Sequence, residues 1–365
     1  MNKKNGLFQV FLVFCVIFIF LAPSFSASIQ LKNVFNSLIK QTQETKVEKI
    51  NEILPKDDAF HGTTSFPSIE WWYFDSMFVQ NYSVHIGFKI ITFQGLNLLK
   101  PSINIYQGTT LIANETKILT PVDFTVSQDR PYIEIGSNPV MDFNEKDYEN
   151  NGEWKYHICY KIGDVGVNLQ FLSETKGWKY ETLHEGWTVA IPQGKVFGTI
   201  SFDSQKFEVT GRGYHDHNWN FSLQTPARGW SWYWGKITGD TLNLAWAEIK
   251  DTGILPQTFS DNLGVLNTQL DEFIIIDPEN IHFSAESFVF KDNRFIPTIF
   301  HLTLDQDDVF IDVTLTSIDL HRSDPSVMTL HYWRYFVSVT GVISYKNTTE
   351  YLDEKLQIME YMRFF

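Results

Sequence analysis

Apolar residues fall on alternate positions through most of the chain. Tyr82, Val84, Ile86, Phe88 and Ile90 alternate with smaller or polar residues, as do Val165, Val167, Leu169 and Phe171, and again Val309, Ile311, Val313 and Leu315. A period of two turns one face of each run toward a core, the mark of half-buried strands. Turn signals punctuate the runs at Gly95, Gly163, Gly177, Gly194, Asp251-Thr252-Gly253 and Lys346-Asn347. Many short strands without intervening helices predict an all-β fold of barrels or sandwiches. The 365 residues amount to about twice one small barrel. No repeat is visible, so two successive barrel-like units are the simplest reading.

The pattern differs at the amino terminus. Lys3 and Lys4 precede an uninterrupted apolar run from Val10 to Ala22, followed by Pro23 and the small-residue step Ser24-Phe25-Ser26 before Ala27. The run is 13 residues long, short of the roughly 18–20 that cross a bilayer, so it reads as a secretory signal. Beyond it, Leu31, Val34, Phe35, Leu38 and Ile39, then Val47, Ile50 and Leu54, recur at helical intervals until Pro55 and Lys56-Asp57-Asp58. The expected organisation is therefore a signal peptide over 1–26, a helical linker over 27–56, a first barrel over 57–225 and a second over 226–365. Export agrees with Asn-x-Ser/Thr sequons at Asn81, Asn114, Asn220 and Asn347.

Charge and cysteine content narrow the partners. With 29 Lys+Arg against 43 Asp+Glu, the net charge of −14 repels a phosphate backbone and excludes nucleic acid. Removal of the signal takes Cys15 with it and leaves Cys159 alone, so no internal disulfide is expected. Cys159 shares a strand face with Lys155, His157 and Lys161 and reads as a bystander.

Chemistry concentrates near the middle of the chain. Five of the 11 tryptophans, Trp219, Trp230, Trp232, Trp234 and Trp246, lie between 219 and 246. On a strand, His215, His217 and Trp219 share one face while Asp216 and Asn218 point the other way, and Trp230, Trp232 and Trp234 likewise form one aromatic face. Imidazole and acid groups beside indole rings are the usual makeup of a small-molecule pocket. His215-Asp216-His217 is compatible with proton transfer, with a structural strand end, or with two zinc ligands completed by His61, His184 or Glu70. A second cluster, Glu70-Trp71-Trp72-Tyr73-Phe74-Asp75, sets a carboxylate among aromatics, either filling a barrel or standing at the mouth of an apolar cavity.

His61 with Glu-Trp-Trp-Tyr-Phe (70–74), Pro192–Gly198, Gly213–Trp219, Trp232–Gly235, Tyr332-Trp-Arg334, Gly341 and Met359-Glu360 together resemble the hydroxyneurosporene synthase family. That family comprises carotenoid 1,2-hydratases and AttH-like relatives, with fungal hydratase and Diels–Alderase-type members. The resemblance implies two tandem lipocalin-like β-barrels with a ligand cavity in or between them. It also implies roles for His217 and Trp219, and for a Tyr-x-Asp pair whose place Trp246-Ala-Glu248 takes here; Asn220 stands where the family has glycine.

Together these readings describe an exported protein holding an apolar, isoprenoid-like molecule and hydrating or isomerising a C=C bond by acid protonation. A non-catalytic lipid or isoprenoid carrier is the alternative. Glu248 or Asp216 is the expected acid and His217 the orienting or water-activating base. Glu70, Trp71, Trp72, Tyr214, Trp219, Trp232, Trp234 and Trp246 are expected to bind the ligand around one dry hollow. Such chemistry needs no metal or organic cofactor. No obligate protein partner is implied, and an uncleaved signal or a peripheral contact would tie the protein to a membrane.

Overall fold

A computed structural model describes residues 50–62, 68–93, 95–181, 185–222, 229–251, 262–268, 272–322 and 330–364. The signal segment, most of the expected linker, His184 and the side chain of Trp230 lie outside them. The described chain is nearly all strand, curled into two barrel-like antiparallel sheets, so the all-β tandem lipocalin-like architecture holds. Among the described residues the first sheet has 13 strands and its last ends at Ser222; the second has nine and begins at Gly229.

The alternation translates directly into burial. Val84, Ile86, Phe88 and Ile90 are fully buried in the strand Tyr82–Phe93, as are Leu169 and Phe171 in Val165–Ser173. In Val309–Arg322 the inward Val309, Ile311, Val313 and Leu315 alternate with exposed or half-buried partners. The first interior is built on Trp72, Phe74, Phe88, Tyr156 and Phe171. The second is built on Tyr233, Trp246, Phe300, Trp333 and Tyr335. A third apolar cluster, including Tyr73, Trp178, Tyr214, Ala245 and Val265, joins the outer face of the first sheet to that of the second.

The linker expectation is corrected at its described end. Asn51–Glu52 pairs as a short strand with Trp178–Lys179, and Pro55–Asp58 is a 3-10 turn rather than the tail of an α-helix. Val47–Phe365 forms one compact unit, so this stretch belongs to the main body. Proline fixes the first turn of the short helix. Trp72 Nε1 donates to the Asp58 carbonyl at 2.8 Å and Thr188 Oγ1 to the Asp57 carbonyl at 3.1 Å, which seats the turn in the first barrel. One α-helix is present among the described residues, Glu145–Asn151, and the carboxyl-terminal segment Thr348–Phe364 is a strand.

Candidate functional site

The strand Gln205–Ser222 lies between Ser68–Phe78 and Gly186–Phe202 and gives each face of the first sheet a different chemistry. Its inward residues enter an ionic cluster walled by rings. His217 Nε2 lies 2.9 Å from Glu70 Oε1, and His217 Nδ1 lies 3.5 Å from Asp58 Oδ1. His215 sits between Asp58 Oδ2, 3.0 Å from Nε2, and the Tyr73 carbonyl, 2.9 Å from Nδ1. Tyr156 donates to Asp58 Oδ2 at 2.6 Å. The backbone N–H groups of His61 and Gly62 donate to the two Glu70 oxygens at 2.7 and 3.2 Å.

Each imidazole is backed by a ring. His215 stacks on Phe74 at 3.8 Å, His217 on Trp72 at 4.3 Å, and His61 on Trp219 at 3.9 Å and 5° from parallel. Trp219 lies against the backbone of Gly186, where an added Cβ would stand 1.9 Å from the indole. Only glycine allows that approach.

Burial alone would raise both carboxyls. Hydrogen bonds from His217 and His61 overcome it and hold Glu70 down to about 2, while the imidazoles of His215 and His217 hold Asp58 well below the usual range. Burial would likewise lower His217, yet its bonds to Asp58 and Glu70 push it up to about 9. At neutral pH the center of the cluster is thus an imidazolium clamped between two carboxylates. His61, Glu70 and His217 each place a ligand atom within 4.8 Å of the others, a spacing a divalent cation could bridge; those same atoms already satisfy one another as an ion-paired cluster.

The outward residues of the same strand meet the second barrel. Asp216 Oδ2 accepts from Tyr214 Oη at 2.8 Å and Trp187 Nε1 at 3.0 Å, and Oδ1 accepts from Asn218 Nδ2 at 3.1 Å. Beside it lies a network in which Lys236 Nζ donates to both Asp75 oxygens, at 2.5 and 2.7 Å. Arg334 donates to Tyr73 Oη at 2.6 Å and to Glu360 at 2.8 Å, Tyr73 donates to Asp75 at 2.8 Å, and Trp234 Nε1 donates to Glu360 at 2.8 Å. Lys236 and Arg334 balance Asp75 and Glu360. Asp216 is left as a further carboxyl with neutral donors only. Burial, aided by the charges of Glu360 and Asp75, outweighs the bonds from Tyr214 and Trp187 and raises it to about 7.

Aromatic rings surround this acid. Trp234 packs on Tyr214 at 5.5 Å and edge-on to Tyr73 at 5.4 Å, with Trp187 at 6.5 Å. Toward the strand end, Trp71 packs on Phe221 at 4.5 Å and Phe221 on Trp232 at 5.0 Å. Asp216 is buried, whereas Trp71, Trp187, Asn218, Phe221 and Trp234 are half-buried and leave an aromatic rim. Elsewhere on the first barrel, an open cleft of about 680 Å³ is lined by Arg130, Asp142, Glu145, Lys155 and His157, a charged wall unsuited to an apolar ligand.

The single hollow expected from sequence is therefore corrected. Glu70, Trp72, His217 and Trp219 face the interior of the first barrel; Trp71, Tyr214, Asp216 and Trp234 gather where the barrels meet; Trp232 sits at the rim with Met362. Trp246 and Glu248 belong to neither group. Trp246 packs in the second core against Phe283 at 5.0 Å, and Glu248 lies opposite Tyr233 on the same inner face, in contact with Lys250. The reason is strand parity: Trp232 and Trp234 pair across from Ile249 and Ala247, so the residues between, Glu248 and Trp246, must point into the second barrel.

Sequence reasoning missed Asp58, Tyr156, Trp187, Lys236 and the buried charges of Arg334 and Glu360 as members of these clusters, and it named Asp75 only as the end of the Glu70–Asp75 run. The last two stand in the segments Tyr332-Trp-Arg334 and Met359-Glu360, which carried part of the resemblance. Asp58 had no local signal, being one of two adjacent acids after a proline.

Fold and site together define a class: a tandem lipocalin-like two-barrel protein with a buried acid, raised to about 7, among aromatic rings on the face where the barrels meet. No family model and no curated protein sequence matches the chain. Among solved structures it is similar to a putative AttH from Nitrosomonas europaea, at 15% identity, covering 87% of this chain and 96% of that one with a TM-score of 0.59. It is also similar to kievitone hydratase from Nectria haematococca, at 10% identity over 88% and 96% of the two chains with a TM-score of 0.57. CghA bound to Sch210972 matches at 10% identity over 86% and 98%, with a TM-score of 0.54. At these identities the likeness establishes a shared fold across both barrels.

Proposed function

We propose that the protein is an exported, cofactor-independent acid catalyst that hydrates or isomerises a C=C bond in an apolar, isoprenoid-like molecule, with Asp216 as the proton donor. The observation that carries this reading is a buried carboxyl raised to about 7, held by Tyr214 and Trp187 among half-buried indole rings. An acid serves best when its pKa lies near the working pH. Asp58 and Glu70 are ionised and His217, near 9, is a far weaker acid, so the inner cluster is unsuited to the step.

Protonated Asp216 gives its proton to one alkene carbon, and the π electrons form the new C–H bond, leaving a carbocation on the other carbon. Tyr214 and Trp187 then stabilise the aspartate anion. Facing indoles such as Trp234 and Trp71 stabilise a desolvated cation by about 2 kcal/mol. Water captures the cation and returns a proton to Asp216, completing hydration; loss of a proton from a neighbouring carbon to Asp216 instead completes isomerisation.

The fold shared with a protein named as a hydratase supports the reading. Export is supported by the exposed side chains of Asn81, Asn114 and Asn347 at three of the sequons. The test is a screen of polyene and isoprenoid lipids by mass spectrometry for a product heavier by one water, or an isomer of equal mass, run beside Asp216→Asn. Loss of product with ligand still bound is expected. Ligand that binds but is never converted by the native protein would instead identify a carrier.

A further inference from the structure

The hairpin Val289–Lys291 and Arg294–Ile296 presents aromatic rings to solvent. Phe290 and Phe295 are direct cross-strand partners with rings 5.3 Å apart, so they share a face, and Phe288 immediately precedes the strand. Phe288, Phe290 and Phe295 are 56%, 65% and 65% exposed. On the opposite face Ile296 is fully buried in the second core, Arg294 bonds His331 and Lys291 Nζ donates to the Leu320 carbonyl at 3.1 Å, while Val289, at 43% exposure, still meets solvent. At the tip, Asp292 and Asn293 have φ of 54° and 61°, the signature of a tight two-residue turn, and Trp333 Nε1 donates to Asp292 at 3.4 Å. These bonds and the buried Ile296 tether the hairpin with the Phe290 and Phe295 rings outward.

We propose that this face is a membrane-docking surface that seats the protein on a lipid bilayer beside the aromatic rim near Asp216. Placement supports it. The hairpin is tied to His331 and Trp333, and the residue between them, Tyr332, is the cross-strand partner of Met362, itself the partner of Trp232. Trp232 packs on Phe221 at the end of the strand that carries Asp216. Three phenylalanines and the aromatic rim therefore lie at one end of the molecule.

Area and charge choose the occupant. The three exposed rings offer on the order of 400 Å², about half of what one partner contributes to a stable protein interface, yet enough apolar surface to partition into lipid. With a net charge of −14 and both hairpin cations bonded back to the protein, the attraction is apolar rather than electrostatic. Zwitterionic phosphatidylcholine is accordingly the fitting surface. The purpose of docking rests on the apolar substrate proposed above; the docking itself does not.

The full chain is sedimented with phosphatidylcholine vesicles beside Phe290→Ser/Phe295→Ser. At least a tenfold loss of binding in the double variant is expected, with wild-type binding unchanged between low and high salt. The apolar run Val10–Ala22 is common to both proteins, and Phe290→Trp adds a local readout whose emission brominated phosphatidylcholine should quench. Equal binding by the double variant with an unquenched reporter would overturn the proposal, as would binding that requires anionic lipid. A dimer in analytical ultracentrifugation that dissolves in the double variant would also overturn it and assign the face to a second copy. Asp216→Asn should bind vesicles like wild type, so failure of the chemistry and failure of docking are distinguishable.

Discussion

Asp216 and His217 are adjacent in sequence and serve opposite faces of one sheet: His217 Nε2 lies 2.9 Å from Glu70 inside the first barrel, and Asp216 lies 3.0 Å from Trp187 Nε1 on the outer face. One peptide bond separates a charged, locked imidazole from a carboxyl near neutrality. The first is an ion-paired structural group and the second is the proton donor of the proposed reaction.

Asp216→Asn should lower turnover by about 10²–10⁴-fold while ligand affinity is retained. On the proposed mechanism the protonated acid is the active form. The rate should hold below pH 7 and fall about tenfold per unit above it, as a pH–rate profile of kcat/KM would show.

The same substitution should stabilise the fold at alkaline pH. The folded value near 7 lies above the ordinary 3.8, so ionising Asp216 penalises the folded state increasingly as pH rises from about 4 to 7, and the penalty persists above. Removing it should add a few kcal/mol at pH 8 and almost nothing at pH 4. Urea unfolding at the two pH values measures the difference.

His217→Ala leaves Asp58 and Glu70 buried without their shared partner and should cost about 3–5 kcal/mol. The native contribution of His217, whose value is raised, is full below its ordinary 6.5 and is lost as pH rises through about 9. That of Glu70, whose value is lowered, is present above its ordinary 4.5 and is lost as pH falls through about 2. Denaturation midpoints across this range should therefore fall at both ends, and the alkaline decline tied to this group should vanish in the variant.

Gly186→Ala puts a methyl into the Trp219 indole and should displace it from His61. A loss of about 1–3 kcal/mol is expected from overpacking, with a changed near-ultraviolet circular dichroism band as the direct sign that the ring has moved.

Glu248→Gln should leave turnover within about twofold of native, because its side chain faces the second core rather than the Asp216 rim. Loss of product in this variant, with ligand still bound, would return the acid role to Glu248.

Local periodicity made much of this readable. The runs at Tyr82–Ile90, Val165–Phe171 and Val309–Leu315 became strands with their apolar side inward because side chains alternate wherever a chain is extended. The split of His215, His217 and Trp219 from Asp216 and Asn218 follows from the same rule. Asp58 was illegible because its meaning lies 157 residues away in His215, and Glu360 because it answers Tyr73 across 287 residues.

The sequence by itself determined that the chain forms alternating strands, that its acids and imidazoles are set among aromatic rings, and which of them share a strand face. Only the tertiary structure decided what each face meets: Asp58 and Glu70 for His217, the second barrel for Asp216, and a separate core for Trp246 and Glu248. A residue's side of a strand is fixed by its neighbours two positions away. The sheet opposite is fixed by register and packing between distant segments, and burial among those segments is what moves a carboxyl toward neutrality.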